Sequence, residues 1–110
     1  MTTPNPRLAQ LQKLHARDPK DPFCTYGIAL EIAKTGDIDQ AIQWLDKTIA
    51  LDDTYCYAYF QKGKMLDTAG KPDEAKAILT AAIEKTKTIP NDPEAAHAAE
   101  EMTTLLESIE

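Results

Sequence analysis

Apolar positions in this chain recur at spacings of three and four, broken by Pro, Gly and Asp. Leu8, Leu11 and Leu14 make a narrow stripe. Ile38, Ala41, Leu45, Thr48 and Ile49 share one helical face, and so do Ala75, Ile78, Leu79, Ala82 and Ile83. A later run carries Ala95, Ala96, Ala99, Met102, Leu105, Leu106 and Ile109 mostly on one side. Such spacing marks amphipathic helices. The punctuation agrees. Asn5-Pro6, Asp21-Pro22 and Asp92-Pro93 each set a capping side chain before a Pro at the first helical position. Gly36 and Gly70 stand where a helix ends in the left-handed conformation. Helices are predicted over about 6–16, 22–34, 38–51, 55–69, 72–86 and 93–108. Asp52-Asp53-Thr54 reads as a loop and a capping cluster.

The pattern repeats. Gly36 matches Gly70, Asp39 matches Asp73, Ala41 matches Ala75, Leu45 matches Leu79 and Ile49 matches Ile83, each pair 34 residues apart. A helix–turn–helix unit of fixed period cannot bury its apolar face alone and stacks on its neighbours.

These residues resemble the tetratricopeptide repeat family, over about residues 6–109. Length and layout are similar to small stand-alone bacterial proteins of that family. The resemblance implies an all-α, right-handed α-α superhelix of about six helices. A tail expected to be mobile spans residues 1–5, and one domain spans 6–110. Within it a flanking helix, 6–17, is the second half of a degenerate repeat; full repeats cover 22–55 and 56–89, and a capping helix covers 93–109. The family wants small residues at the eighth and twentieth positions of each repeat, here Ala29 and Ala41, then Gly63 and Ala75. Its large apolar positions are filled by Ile28, Ile32 and Leu45, then by Tyr59, Leu66 and Leu79. Two departures stand out. Lys62 occupies a usual Leu position, and Thr25 a usual aromatic one, so looser packing is expected around Thr25.

Composition narrows the function. A net charge of −6 argues against nucleic acid and anionic membranes, which need clustered Lys and Arg. The charge is uneven. Residues 1–22 carry Arg7, Lys13, Arg17 and Lys20 against Asp18 and Asp21, a net +2. Residues 88–110 carry six carboxylates and no Lys or Arg. A solvated acidic face explains this plainly; head-to-tail attraction between chains is the sharper reading. Cys24 and Cys56 form no CxxC or zinc spacing, which suits a reducing cytoplasm. The first residues hold neither a basic nor an apolar signal region.

Candidate chemistry is sparse. His15 and His97 are far apart, and His97 with Glu101 supplies only two ligands on one helix face, a poor metal site. No Gly-rich phosphate loop occurs. No catalysis, metal or cofactor is expected. The family resemblance places first-helix positions two, five, nine and twelve on a concave surface. They are Phe23, Tyr26, Leu30 and Ala33, then Tyr57, Phe60, Lys64 and Asp67, with His97 and Glu101 added from the last helix. Exposed aromatics of this kind mark binding sites, and core packing of some rings is the competing reading. Phe23, Tyr26, Leu30, Tyr57, Phe60, Lys64 and Asp67 are therefore the candidate contacts for a partner protein or peptide. Self-association into a homodimer is the alternative. The family's clamp for chaperone-tail carboxylates needs Lys and Asn where Tyr26, Leu30 and Gln61 stand, so that clamp is not expected. The face occupied by Trp44 is open at this level.

Overall fold

The computed structural model describes residues 5–109; residues 1–4 of the expected tail, and Glu110, lie outside the described residues. Among the described residues the chain forms six α-helices and no strand. They are α1 (Pro6–Arg17), α2 (Pro22–Lys34), α3 (Ile38–Leu51), α4 (Cys56–Thr68), α5 (Pro72–Thr86) and α6 (Pro93–Ser108). None is long and apolar enough to cross a membrane. The helices group into two compact units. One holds α1 to α3 and ends at Asp52; the other starts at Asp53 and holds α4 to α6.

Local chemistry sets most helix ends. Asn5, Asp21, Asp37 and Asp92 accept hydrogen bonds from the backbone N–H groups of Leu8, Phe23, Gln40 and Glu94, at 3.0, 3.0, 3.1 and 3.0 Å. Each meets a donor that the first helical turn leaves unpaired. Gly36 (φ +93°) and Gly70 (φ +79°) take the left-handed conformation just past α2 and α4. The expected capping cluster does not supply the N-cap residue of α4. Tyr55 is the N-cap there and makes no side-chain cap bond. Asp53 is used elsewhere: its carboxylate accepts from Lys85 Nζ at 3.3 Å and its carbonyl from Tyr59 Oη at 2.9 Å. Lys71, 34 residues after Asp37, likewise leaves α5 without a side-chain cap.

In the first unit the core is Ile28, Ala29 and Ile32 of α2 against Ala41 and Leu45 of α3. Thr25 does not loosen this pair. It is 1% exposed, and its hydroxyl lies 2.7 Å from that of Thr48. With one proton each, one hydroxyl donates to the other, and the accepting one donates on to its own backbone carbonyl, Pro22 for Thr25 or Trp44 for Thr48, each at 3.0 Å, so both stay satisfied inside the core. The positions 34 residues on hold Tyr59 and Ala82. One repeat thus uses two mid-sized hydroxyls where the other uses a large ring and a methyl.

α1 contributes one buried residue, Leu11, which sits against Gly27 of α2. The stripe of leucines is not a core stripe. Three residues turn a helix through about 300°, so Leu8 and Leu14 lie about 120° apart and cannot face one neighbour together. Leu14 is 41% exposed. Polar contacts hold α1 as well. Glu31, on α2 and nearly buried, accepts from Lys34 Nζ at 2.8 Å and Asn5 Nδ2 at 3.4 Å, with Arg7 Nε at 3.5 Å. The Lys34 hydrogen bond holds the Glu31 carboxyl below its ordinary range; burial opposes this, and the Lys34 charge, Asn5 and Arg7 add to it.

In the second unit, Ala58, Gly63, Met65 and Leu66 of α4 pack with Ala75, Leu79 and Ala82 of α5 and Ala95, Ala98 and Met102 of α6. The inward face of α6 differs from the sequence reading. Ala98 is fully buried and Ala96 exposed, while Leu105 and Leu106 are half-buried.

Candidate partner-binding surface

Phe23, Tyr26 and Leu30 lie on α2, in the first unit. Phe23 is 57% exposed, the most open large apolar side chain among the described residues, because it follows the N-cap and precedes the packed turns of the helix. Tyr26 and Leu30 are half-buried. Trp44, on α3, is also half-buried. Its ring meets His15 of α1 edge-on at 5.2 Å and lies under Lys47 Nζ at 4.0 Å. It is therefore an anchor between α1 and α3 with one side open to a cation.

Tyr57, Phe60, Lys64 and Asp67 lie on α4, in the second unit. Tyr57 and Phe60 are one turn apart and meet edge to face at 6.4 Å. Tyr57 also meets His97 of α6 at 6.3 Å. His97 Nε2 stands 3.2 Å from Glu101 Oε1, an ion pair only while the ring is protonated. Lys64 and Asp67 are exposed on the same face.

Next to these rings, α4 and α6 enclose an open groove of about 480 Å³. Phe60 and Leu105 form its apolar floor, and Thr104, Ser108, Glu100 and Glu101 line its sides. Leu105, Thr104, Ser108 and Glu100 are not among the contacts that the sequence suggests. The sequence pattern puts Leu105 inward with most of the other apolar residues of α6. Leu105 shares a face with Ala98, about 20° away around α6, and stands at the edge of the buried face, half-buried, where it lines the groove. The run of small residues at 95 and 98 was the available signal, since small side chains let helices approach closely.

Neither cysteine is poised for chemistry. Cys24 is 3% exposed, and burial pushes its thiol up, helped by the Asp21 carboxylate to which it donates at 3.7 Å. Cys56 is buried and donates to the Thr54 carbonyl at 3.3 Å. Among the described residues no three His, Cys, Asp or Glu side chains converge to hold a metal.

Comparison with known proteins agrees with this architecture. The tetratricopeptide repeat family model matches residues 57–84, the α4–α5 hairpin. The Yersinia enterocolitica type III secretion translocator chaperone SycD superimposes with a TM-score of 0.79 at 24% identity, over 93% of this chain and 68% of that one. PcrH, in complex with the chaperone-binding region of PopD, gives 0.81 at 19% identity, over 93% and 74%. The TPR2B domain of yeast Sti1, in complex with pHsp70, gives 0.72 at 21% identity, over 89% and 81%. No curated protein matches the sequence.

Proposed function

We propose that this chain, a tetratricopeptide-repeat protein, is a non-catalytic scaffold that holds a short segment of a partner protein. The observation that carries the reading is the α4–α6 surface, where an aromatic pair borders an open groove with an apolar floor. Half-buried aromatics that keep one face open are the usual anchors of protein interfaces, since they bury large area at little entropic cost. The partner contacts are Tyr57, Phe60, Lys64 and Asp67 in the second unit, with Phe23, Tyr26 and Leu30 offered by the first. Proteins of the same fold support the reading: SycD is known with a peptide of the translocator YopD, and PcrH with a region of PopD.

The test uses the full chain. Peptides selected on it from a displayed random library are measured by fluorescence anisotropy on Phe60→Ala and Tyr26→Ala. Truncating an anchor is expected to weaken binding by about tenfold or more, with circular dichroism melts showing both variants folded. Failure to select any peptide, or unchanged affinity in both folded variants, refutes the proposal.

A further inference from the structure

The chain carries two surfaces of complementary charge, and of their charged groups only Glu101, beside His97, has a described ion-pair contact. The first is the α4–α6 groove. α6 holds Glu94, Glu100, Glu101 and Glu107 and no Lys or Arg, and Glu100 enters no ion pair among the described residues. At about 100° per residue, Leu105, Glu101 and Glu100 follow one another around the helix, from the apolar floor outward.

The second is the outer face of α1. This helix has Arg7, Lys13 and Arg17 and no acidic residue. Leu11 and His15 point inward, to Gly27 and Trp44. Leu14, Arg17 and Lys13 then follow one another around the opposite side, again from apolar to charged. Lys13 and Arg17 enter no ion pair among the described residues. Of the exposed large apolar side chains among the described residues, Leu14, Phe23 and Leu51, only Leu14 has two cations following it around its helix in this way. Phe23 follows Asp21, and Leu51 precedes Asp52 and Asp53.

We infer that the α4–α6 groove of one copy receives α1 of a second copy, with Leu14 on the Phe60–Leu105 floor and Arg17 and Lys13 on Glu101 and Glu100. The inference shares its acceptor groove with the proposed function but needs no foreign partner. Donor and acceptor are different surfaces, so the contact is heterologous: two copies close it mutually, or it propagates to larger species. Any partner peptide that uses the groove then competes with the chain itself. Self-association also covers an apolar floor that a soluble copy would otherwise leave open.

Sedimentation velocity of the full chain over a range of concentrations tests this. Mass is expected to rise with concentration at about 0.01 M salt and to fall back to the monomer at about 1 M, where the screening length drops from about 30 to about 3 Å. Glu100→Lys/Glu101→Lys and Lys13→Glu/Arg17→Glu, all exposed or half-exposed positions, are each expected to be monomeric under both conditions. Mixing the two variants pairs the acidic α1 of one with the basic groove of the other, and the native α1 of the second with the native groove of the first, and is expected to restore association in both directions. A wild type that stays monomeric at every concentration overturns the inference, as does association that neither charge reversal weakens. If the wild type is monomeric yet still binds selected peptides through Phe60, only this inference falls and the scaffold reading stands.

Discussion

Gly63 is the position where the α4–α5 hairpin has least room, and replacing it tests the packing directly. A Cβ added at Gly63 would stand 2.6 Å from Leu79 Cδ2 and 2.7 Å from Cγ. Carbon atoms in ordinary contact sit about 3.5–4.0 Å apart, so Leu79 must retreat by about 1 Å. Leu79 has nowhere to go: it is 0% exposed, and Cγ lies too near its backbone to swing aside. Overpacking of this kind costs about 1–3 kcal/mol, while Ala is a better helix residue than Gly by about 1 kcal/mol. The backbone here is ordinary helix, so Ala keeps that gain in full. Gly63→Ala is therefore expected to be destabilising, by up to about 2 kcal/mol net. Urea melts followed by far-ultraviolet circular dichroism measure the loss as a shift in midpoint. The decisive comparison is made in a Leu79→Ala background, which alone costs about 2–5 kcal/mol. With Leu79 cut back the clash is gone, and Gly63→Ala should now stabilise, by about 1 kcal/mol. The sign must reverse between the two backgrounds. A wild-type chain that tolerates Gly63→Ala without loss, or an equal loss in both backgrounds, refutes the reasoning.

Three further outcomes follow from the same structure. Lys71→Asp should give α5 the side-chain cap that Asp37 gives α3, raising stability by about 0.5–1 kcal/mol in the same melts. Thr25→Val and Thr48→Val should each cost about 1 kcal/mol, and the double variant less than their sum, because either single variant already removes the hydrogen bond the two share. The Glu31 carboxyl titrates below its unfolded value, so its contribution is fully present above the unfolded pKa of about 4.3 and is lost as pH falls through the lower folded value. Wild type should therefore lose stability between about pH 4.3 and strongly acid conditions more steeply than Glu31→Gln, as read by melts across that range.

What the sequence by itself determined is local. Pro at the first helical turn, Asp or Asn before it, and Gly after the last turn act through bonds a few residues long. Most of the helix ends accordingly lie where those signals place them, the start of α4, with Tyr55 as its N-cap and no Pro, being an exception. The 34-residue period, too, was legible, because equivalent sites in successive hairpins face equivalent neighbours: Ala41 and Ala75, like Leu45 and Leu79, are all 0% exposed. The candidate surface was legible in part. Tyr57 and Phe60 share a face by helical spacing alone, and they meet. Tertiary structure decided how each helix is rotated about its own axis. Periodicity identifies an apolar stripe but leaves its edges open, and the side chains of the partner helix choose among them. That choice exposed Leu14 and buried Leu11, left Leu105 half-buried at the groove edge of the core, and set Trp44 against His15. It also matched Thr25 with Thr48 across α2 and α3, a pair 23 residues apart that no local rule connects.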